Sequence, residues 1–415
     1  MKKIAFMSPV VSSLLIAGGY KIPETSTNAV ALGAANIAHN QNNADAAYYN
    51  PAKMIFMSDE NHIEADLNYI HINKEDYKPT SGNILRSENE NFYIPSLHYV
   101  SPKLGNNSAR VGVSIVSPGG LSRKWNQEPA KTSAQEFTLE VVEVNPTVAF
   151  TINEKLGFAV GFRVVNTKGV VKSDGTTDID PGEGVTLSKV ARNMTGESTD
   201  FGYNLALSYQ PISNLELGLT YRSKIDLNPE GNAKLTSTAG SLVYNGPANV
   251  SVPLPAAINA AIAYTFITKT TLEIVYERTY WSAYKRLDFT YDTSINPTLK
   301  SIFGTVKPKE WKDTNTFRFG LTQELKNMTL MAGLVIDEAP APEKTIGFEL
   351  PDTDTVSVSL GGRYKINDKI DLGLSALYSM HDKRTVSSSV NDNGLDGEFT
   401  DGDVIIISAG LGYKF

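Results

Sequence analysis

The stretch "FGYNLALSYQPISNLELGLTYRS", residues 201–223, is two runs of strict alternation around four turn-forming residues. Phe201, Tyr203, Leu205, Leu207 and Tyr209 fall on one face, opposite Gly202, Asn204, Ala206, Ser208 and Gln210. After Pro211–Asn214 the pattern restarts, with Leu215, Leu217, Leu219 and Tyr221 opposite Glu216, Gly218, Thr220 and Arg222. A period of two is the signature of a β-strand. One face is greasy and the other small or polar. A soluble sandwich alternates in the same way, so the pattern gives strands and leaves the class of sheet open.

The same alternation recurs in "LGFAVGFRV" (156–164), "DLGLSALYS" (371–379) and "DVIIISAGLGYKF" (403–415). What lies between such strands is more decisive. Short turns at about 102–108, 153–155, 211–214, 267–270, 325–327 and 366–369 alternate with long polar connectors. Those connectors lie at about 73–91, 121–134, 173–195, 229–253, 282–311, 338–354 and 385–401. Six short turns and seven long loops join fourteen strands, with both chain ends on the short-turn side. That is the layout of a 14-stranded antiparallel transmembrane β-barrel, an all-β fold of the bacterial outer membrane. Greek-key connections would not sort their loops by length. Closure is required, since an open edge in lipid leaves backbone groups without partners.

Composition agrees. The chain has 415 residues, no Cys, 8 Met, 19 Tyr, 16 Phe and 32 Gly, which is thin material for several helical cores. A net charge of -7 argues against nucleic acid as a partner. Without Cys there is no disulfide framework and no thiolate metal site. Lys2-Lys3, an apolar run from Ile4 to Ala17 and then "GGYKIPE" have the layout of a secretory signal, residues 1–17, cleaved after Ala17. No later segment approaches the eighteen apolar residues of a transmembrane helix. The chain ends on Phe415, on the same face as Leu411 and Tyr413, which resembles the terminal strand by which outer-membrane barrels are recognised.

Residues 18–61 precede the first strand, "HIEADLNYIHI", and do not fit the barrel. They hold nine Ala between Ala29 and Ala52. Small residues pack closely against surrounding walls, so this segment reads as a hatch inside the lumen of a barrel spanning 62–415. The competing reading is a disordered periplasmic tail.

"GGYKIPETSTNAVALGAA" and "ADAAYYNPA" resemble the N-terminal hatch of the long-chain fatty-acid transporter family of outer membranes, the FadL and TodX type. So, in the same order, do "LGLTYRSKIDLNPEG" (217–231), 254–287 and 331–361. The resemblance implies passive transport of long-chain fatty acids or other hydrophobic small molecules, without ATP or a TonB-type coupler and without a cofactor. It also places Gly18, Tyr20 and Ile22 in the ligand pocket and makes Asn50-Pro51-Ala52 the element that holds the hatch to the wall.

"VSPGG" interrupts the third strand at Ser117, Pro118, Gly119 and Gly120. Pro supplies no ladder donor and Gly no side chain to seal a gap, and the position coincides with the third-strand kink of that family. The expectation is a lateral wall opening through which a hydrophobe leaves the lumen for the membrane. The alternative is that these residues simply begin a loop.

Other functions find less support. The five His, at 39, 62, 71, 98 and 381, show no two-His metal spacing, and no G-x-S-x-G occurs. The chain therefore reads as neither an enzyme nor a metal protein. The Asp-rich tips 174–184 and 391–403 match no complete Ca²⁺ loop and read as solvated. Trp125, Trp281 and Tyr284, with Arg123, Lys124, Lys285 and Arg286, suit an interfacial girdle facing lipid and lipopolysaccharide, or else cations for a substrate carboxylate. A general porin for polar solutes is the main alternative function, and the hatch argues against it. The barrel is expected to be a monomer. Which hydrophobe it carries stays open among fatty acid, aromatic hydrocarbon and terpenoid.

Overall fold

The computed structural model describes residues 18–105, 108–179 and 185–415. The signal segment read at 1–17 lies outside the described residues, as do parts of the connectors at 102–108 and 173–195. Among the described residues, fourteen strands form one closed antiparallel sheet. They are β1 His62–Ile72, β2 Glu90–Val100, β3 Ala109–Val116 with its continuation Gly120–Arg123, β4 Glu136–Asn153, β5 Leu156–Ile179, β6 Thr186–Ile212 and β7 Leu215–Arg222. The second half is β8 Ala257–Thr265, β9 Thr270–Thr279, β10 Thr314–Glu324, β11 Met328–Asp337, β12 Thr355–Lys365, β13 Ile370–His381 and β14 Val404–Lys414. β1 closes the ring on β14, from His62 opposite Lys414 to Ile72 opposite Val404.

The polarity of the wall is inverted relative to a soluble sheet. Leu205, Leu207, Tyr209, Val160, Leu219, Ile274 and Phe317 face outward with a third or more of their surface exposed. The opposite faces carry Asn204, Ser208, Glu143, Arg163, Glu277 and Arg318, all buried. An apolar exterior is stable only against hydrocarbon, so the alternation reads as lipid outside and packed lumen inside. Aromatic pairs mark the two rims. Phe162 and Phe201 stack at 5.7 Å and Tyr69 lies 5.3 Å from Tyr93 toward the long-loop end, while Tyr413 and Phe415 stack at 5.3 Å at the short-turn end.

Two of the connectors expected from the sequence, 173–195 and 229–253, are largely strand. β5 runs on to Ile179, β6 starts at Thr186, and Glu230–Ser237 and Leu242–Val250 form a hairpin on β6. The reason is a reversal of polarity along the same strands. Beyond the aromatic rim the inward positions turn apolar (Val165, Val171, Val190, Met194), and the outward ones turn polar (Asn166, Lys168, Asn193, Glu197). Outside the bilayer the ladder continues, but now it buries its apolar residues under a cap.

That cap also relocates the aromatic residues expected at the girdle. Trp125 and Trp281 are fully buried and Tyr284 nearly so, so none of the three faces lipid. The Trp125 indole donates to the Phe348 carbonyl at 2.8 Å. Arg123 pairs with Glu75 at 3.3 Å and Lys124 with Glu90 at 3.5 Å. Those cations serve contacts within the cap.

Residues 18–61 thread the lumen as two short helices, α1 Thr27–Leu32 and α2 Ala46–Tyr49, and a 3₁₀ turn Pro51–Phe56. The Ser26 hydroxyl accepts from the Ala29 amide to start α1, and Gly33 ends it in the left-handed region at φ 57°. Substituting outward Leu207 with Arg, L207R, places a charge near the bilayer midplane and should lower stability by about 2–4 kcal/mol. Equilibrium folding into lipid vesicles measures it. An unchanged midpoint would mean that this face does not contact hydrocarbon.

Candidate ligand cavity and wall opening

The hatch is held by buried polar groups on both sides. Asp45 is its knot. The Oδ2 atom accepts from the Ser26 hydroxyl at 2.8 Å and the Asn28 and Asn36 amides at 3.0 and 3.3 Å, while Oδ1 accepts from Asn40 at 3.1 Å. From the wall, Glu273 accepts the backbone N–H groups of Ile37, Ala38 and His39 at 2.8, 2.6 and 3.1 Å. Asp66 accepts that of Thr27 at 3.0 Å. Strand carboxylates thus satisfy amides that an irregular segment cannot pair internally.

Close approach depends on small residues in the wall. A Cβ on Gly333 of β11 would lie 2.3 Å from the Leu32 carbonyl carbon, and one on Gly218 of β7 would lie 2.8 Å from the Ile37 carbonyl oxygen. Asn50 sits at the same place. The side-chain amide donates to the Ile37 carbonyl at 2.8 Å and to Leu207 of β6 at 3.2 Å, and its oxygen accepts from the Ala52 amide at 3.1 Å. Pro51 opens the 3₁₀ turn, and Ala52 is fully buried.

The third strand is interrupted between Val116 and Gly120, and both of its parts pair with β4. β2 pairs with β1 along its whole length, Glu90 to Val100, but with β3 only from Val100 opposite Gly112 to Leu97 opposite Ile115. From Glu90 to Ser96, no ladder partner faces the β3 side of β2 among the described residues. Contact resumes at the Ser87–Trp125 bridge, where the Glu88 amide donates to the Lys124 carbonyl at 2.9 Å. Toward β4, the pairs Val116–Glu143 and Gly120–Glu140 set Ser117, Pro118 and Gly119 against only two residues, a bulge.

The displaced strand finds its partner in the hatch. Lys21 bridges Gly119, the Ile22 amide donates to the Pro118 carbonyl at 3.0 Å, and the Gly120 amide donates to the Tyr20 carbonyl at 2.9 Å. Gly119 is required by this approach, because a Cβ there would stand 2.8 Å from the Tyr20 carbonyl oxygen.

Beside this junction lies a small, partly open cavity. Ile22, Pro23, Ile37, Tyr48, Tyr49, Pro118 and Leu254 supply its apolar wall, and Arg163, Arg222, Arg318, Lys21 and Glu277 its charged part. Of the residues singled out in the sequence, Ile22 and Pro118 line it. Tyr20 instead anchors the segment. Its ring lies 4.7 Å from Trp281 and 5.7 Å from Trp311, and its hydroxyl donates to the Pro253 carbonyl. Gly18 packs on the Asp337 carboxylate. The Gly19 amide donates to Asp352 at 3.2 Å, in an extracellular loop where burial pushes that carboxyl up to about 7. None of Asn50, Pro51 and Ala52 lines the cavity, although Tyr49 just before them does. Sequence reasoning missed Arg163, Arg222 and Arg318, whose only signal is a cation on the small-residue face of a strand.

Residues 8–415 match the family model described as outer membrane protein transport protein (OMPP1/FadL/TodX). The chain is 24% identical to the long-chain fatty acid transport protein of Escherichia coli K12, over 90% of this chain and 91% of that one. It is 21% identical to outer membrane protein P1 of Haemophilus influenzae, over 91% and 90%. Among solved structures it superposes on a Pseudomonas aeruginosa FadL homologue with a TM-score of 0.84 at 20% identity, covering 96% of this chain and all of that one. The toluene transporter TodX of Pseudomonas putida gives 0.72 at 15% identity, over 94% and 98%. A family model spanning nearly the whole length, on a closed barrel with a filled lumen, makes this chain a member of the OMPP1/FadL/TodX family of outer-membrane transport proteins.

Proposed function

We propose that this protein carries long-chain fatty acids or similarly hydrophobic small molecules passively across the outer membrane, binding them in the cavity beside Ile22 and releasing them sideways through the wall. The observation that carries this reading is that Pro118 belongs both to the cavity lining and to the break between β2 and β3. A hydrophobe leaving through water forgoes about 0.8 kcal/mol per methylene. A lateral exit keeps it in apolar surroundings throughout. A general porin would gain nothing from a lumen filled by the hatch. The working unit is a monomer, whose outer face contacts membrane lipid and, on its outer leaflet side, lipopolysaccharide.

The hatch segment Tyr20–Ile22 serves as the closure. Its amide and carbonyl groups satisfy the strand that the bulge has pulled out of the ladder, so the opening costs little while the segment is seated. Ligand displacing Ile22 from the cavity would loosen that pairing and couple occupancy to exit.

Replacing Pro118, Gly119 and Gly120 with the dipeptide Val-Thr removes the extra residue and lets β3 pair continuously. Uptake of labelled oleate by cells should fall on the order of tenfold or more, with heat-modifiable electrophoretic mobility retained. Wild-type uptake by that variant would exclude the lateral route. Ile22→Asp puts a charge on the apolar wall and should weaken hydrophobe binding by about tenfold or more. Titration of a fluorescent fatty acid against the reconstituted protein reads this, and unchanged affinity would move the binding site elsewhere.

A further inference from the structure

The first residues of the hatch run between two buried carboxylates. A Cβ on Gly18 would stand 2.5 Å from Asp337 Oδ2, and the Gly19 amide donates to Asp352 Oδ1 at 3.2 Å. Both glycines adopt positive φ, 70° and 78°, and a Cβ on Gly19 would meet Trp281 at 2.5 Å. Backbone this close to a carboxylate and an indole requires residues without side chains. The position of Gly18 is fixed from both sides.

The charges around Gly18 leave one carboxylate without a partner. Lys21 pairs with Glu277 at 2.6 Å, and Arg318 lies 3.4 Å from Glu24 and 3.8 Å from Glu277. Asp352 is satisfied by two backbone amides, those of Gly19 and Ala341, each at 3.2 Å. Asp337 is buried and shares a small cavity with Gly18, Lys21, Glu277 and Arg318, yet it forms no ion pair among the described residues. Its Oδ1 accepts from the Thr316 hydroxyl, and no hydrogen bond reaches Oδ2 among the described residues. In the cavity and its rim, Glu24, Glu277 and Asp337 thus face only Lys21 and Arg318. An uncompensated buried carboxylate is costly, so one more positive charge belongs beside Oδ2.

The chain itself carries that charge once residues 1–17 are removed after Ala17. Cleavage there turns the Gly18 amide, with one donor and no charge, into an ammonium with three donors. Its nitrogen is two bonds from the Cβ position that touches Oδ2, which puts it within about 5 Å of that oxygen. We infer that removal of residues 1–17 creates an ion pair between the Gly18 α-amino group and Asp337, which seats the hatch end so that processing of the chain completes the closure at β3. Gly18 leads directly to Gly19 on Asp352, Tyr20 in its aromatic cage, and Ile22, whose amide meets Pro118. A charge pair at the tip holds this run in register with the broken strand. The ion pair stands on its own geometry, and only its consequence for transport rests on the reading of Tyr20–Ile22 as the closure.

Mass spectrometry of the protein purified from outer membranes should find Gly18 as the first residue. Trace acetylation should modify that amine about tenfold or more slowly in the folded protein than in the urea-unfolded chain, because a buried, ion-paired ammonium keeps its proton. Asp337→Asn retains the burial, removes the charge and should recover most of the rate. A second form carries Gly-Gly inserted between Ala17 and Gly18, which keeps Asp337 and moves the amine beyond it. Hydrogen exchange at the Ile22 and Gly120 amides should then be about tenfold or more faster, with heat-modifiable mobility unchanged. Should Asp337→Asn fail to fold, the insertion decides alone. A mature terminus elsewhere, an amine that reacts equally fast in folded and unfolded protein, a rate that Asp337→Asn leaves unchanged, or exchange that the insertion leaves unchanged overturns the inference. Oleate uptake reads the closure separately. Faster exchange with uptake at the wild-type rate leaves the ion pair standing and removes Tyr20–Ile22 as the closure.

Discussion

Every backbone N–H and C=O in contact with hydrocarbon must find a partner within the protein, and the rest of this structure follows from that constraint. It closes the sheet from β1 to β14, pairing His62 with Lys414 at one end and Ile72 with Val404 at the other. It also explains why the break in β3 is tolerable. Where Ser117–Gly119 bulge away from β2, the Tyr20–Ile22 segment supplies a carbonyl and an amide in place of the missing strand. The break in the strand and its contact with the hatch are made from the same few hydrogen bonds.

The lumen is filled by a second arrangement, of small residues and carboxylates. Gly218 and Gly333 bring the wall within contact of hatch backbone, and Glu273 and Asp66 meet amides that a six-residue helix and its flanking turns leave exposed. These contacts lie mostly on the short-turn half of the barrel. The segment that touches the broken strand is instead held from above, by the aromatic cage around Tyr20 and by Asp352. The hatch thus has a firmly bound body and an end whose seat depends on the extracellular cap.

Burial of cations in the lumen has a different logic from burial of the hatch. Arg163, Arg222 and Arg318 are on strand faces that closure turns inward, where an unpaired charge is costly. Glu143, Glu277 and Glu24 are their counterweights.

Strand number, loop sorting and the inside-out polarity of the wall are set by local pattern, so the alternation in 201–223 and the lengths of the connectors were enough to give the barrel. The hatch was legible from its alanines, and the break in β3 from Pro118-Gly119-Gly120, because both are properties of the chain at one place. The strand extensions through 173–195 and 229–253 were hidden by composition: the alternation continues there, but with its polarity reversed. Trp125, Trp281 and Tyr284 looked like girdle residues because an aromatic beside a basic residue reads alike in a rim and in a cap, and only packing sends them inward. The partner of the broken strand, the cage of Tyr20 and the pairing of Arg222 with Glu143 join residues up to hundreds of positions apart. A one-dimensional pattern records which way a side chain points, while what it meets there is decided only when the sheet closes around the hatch.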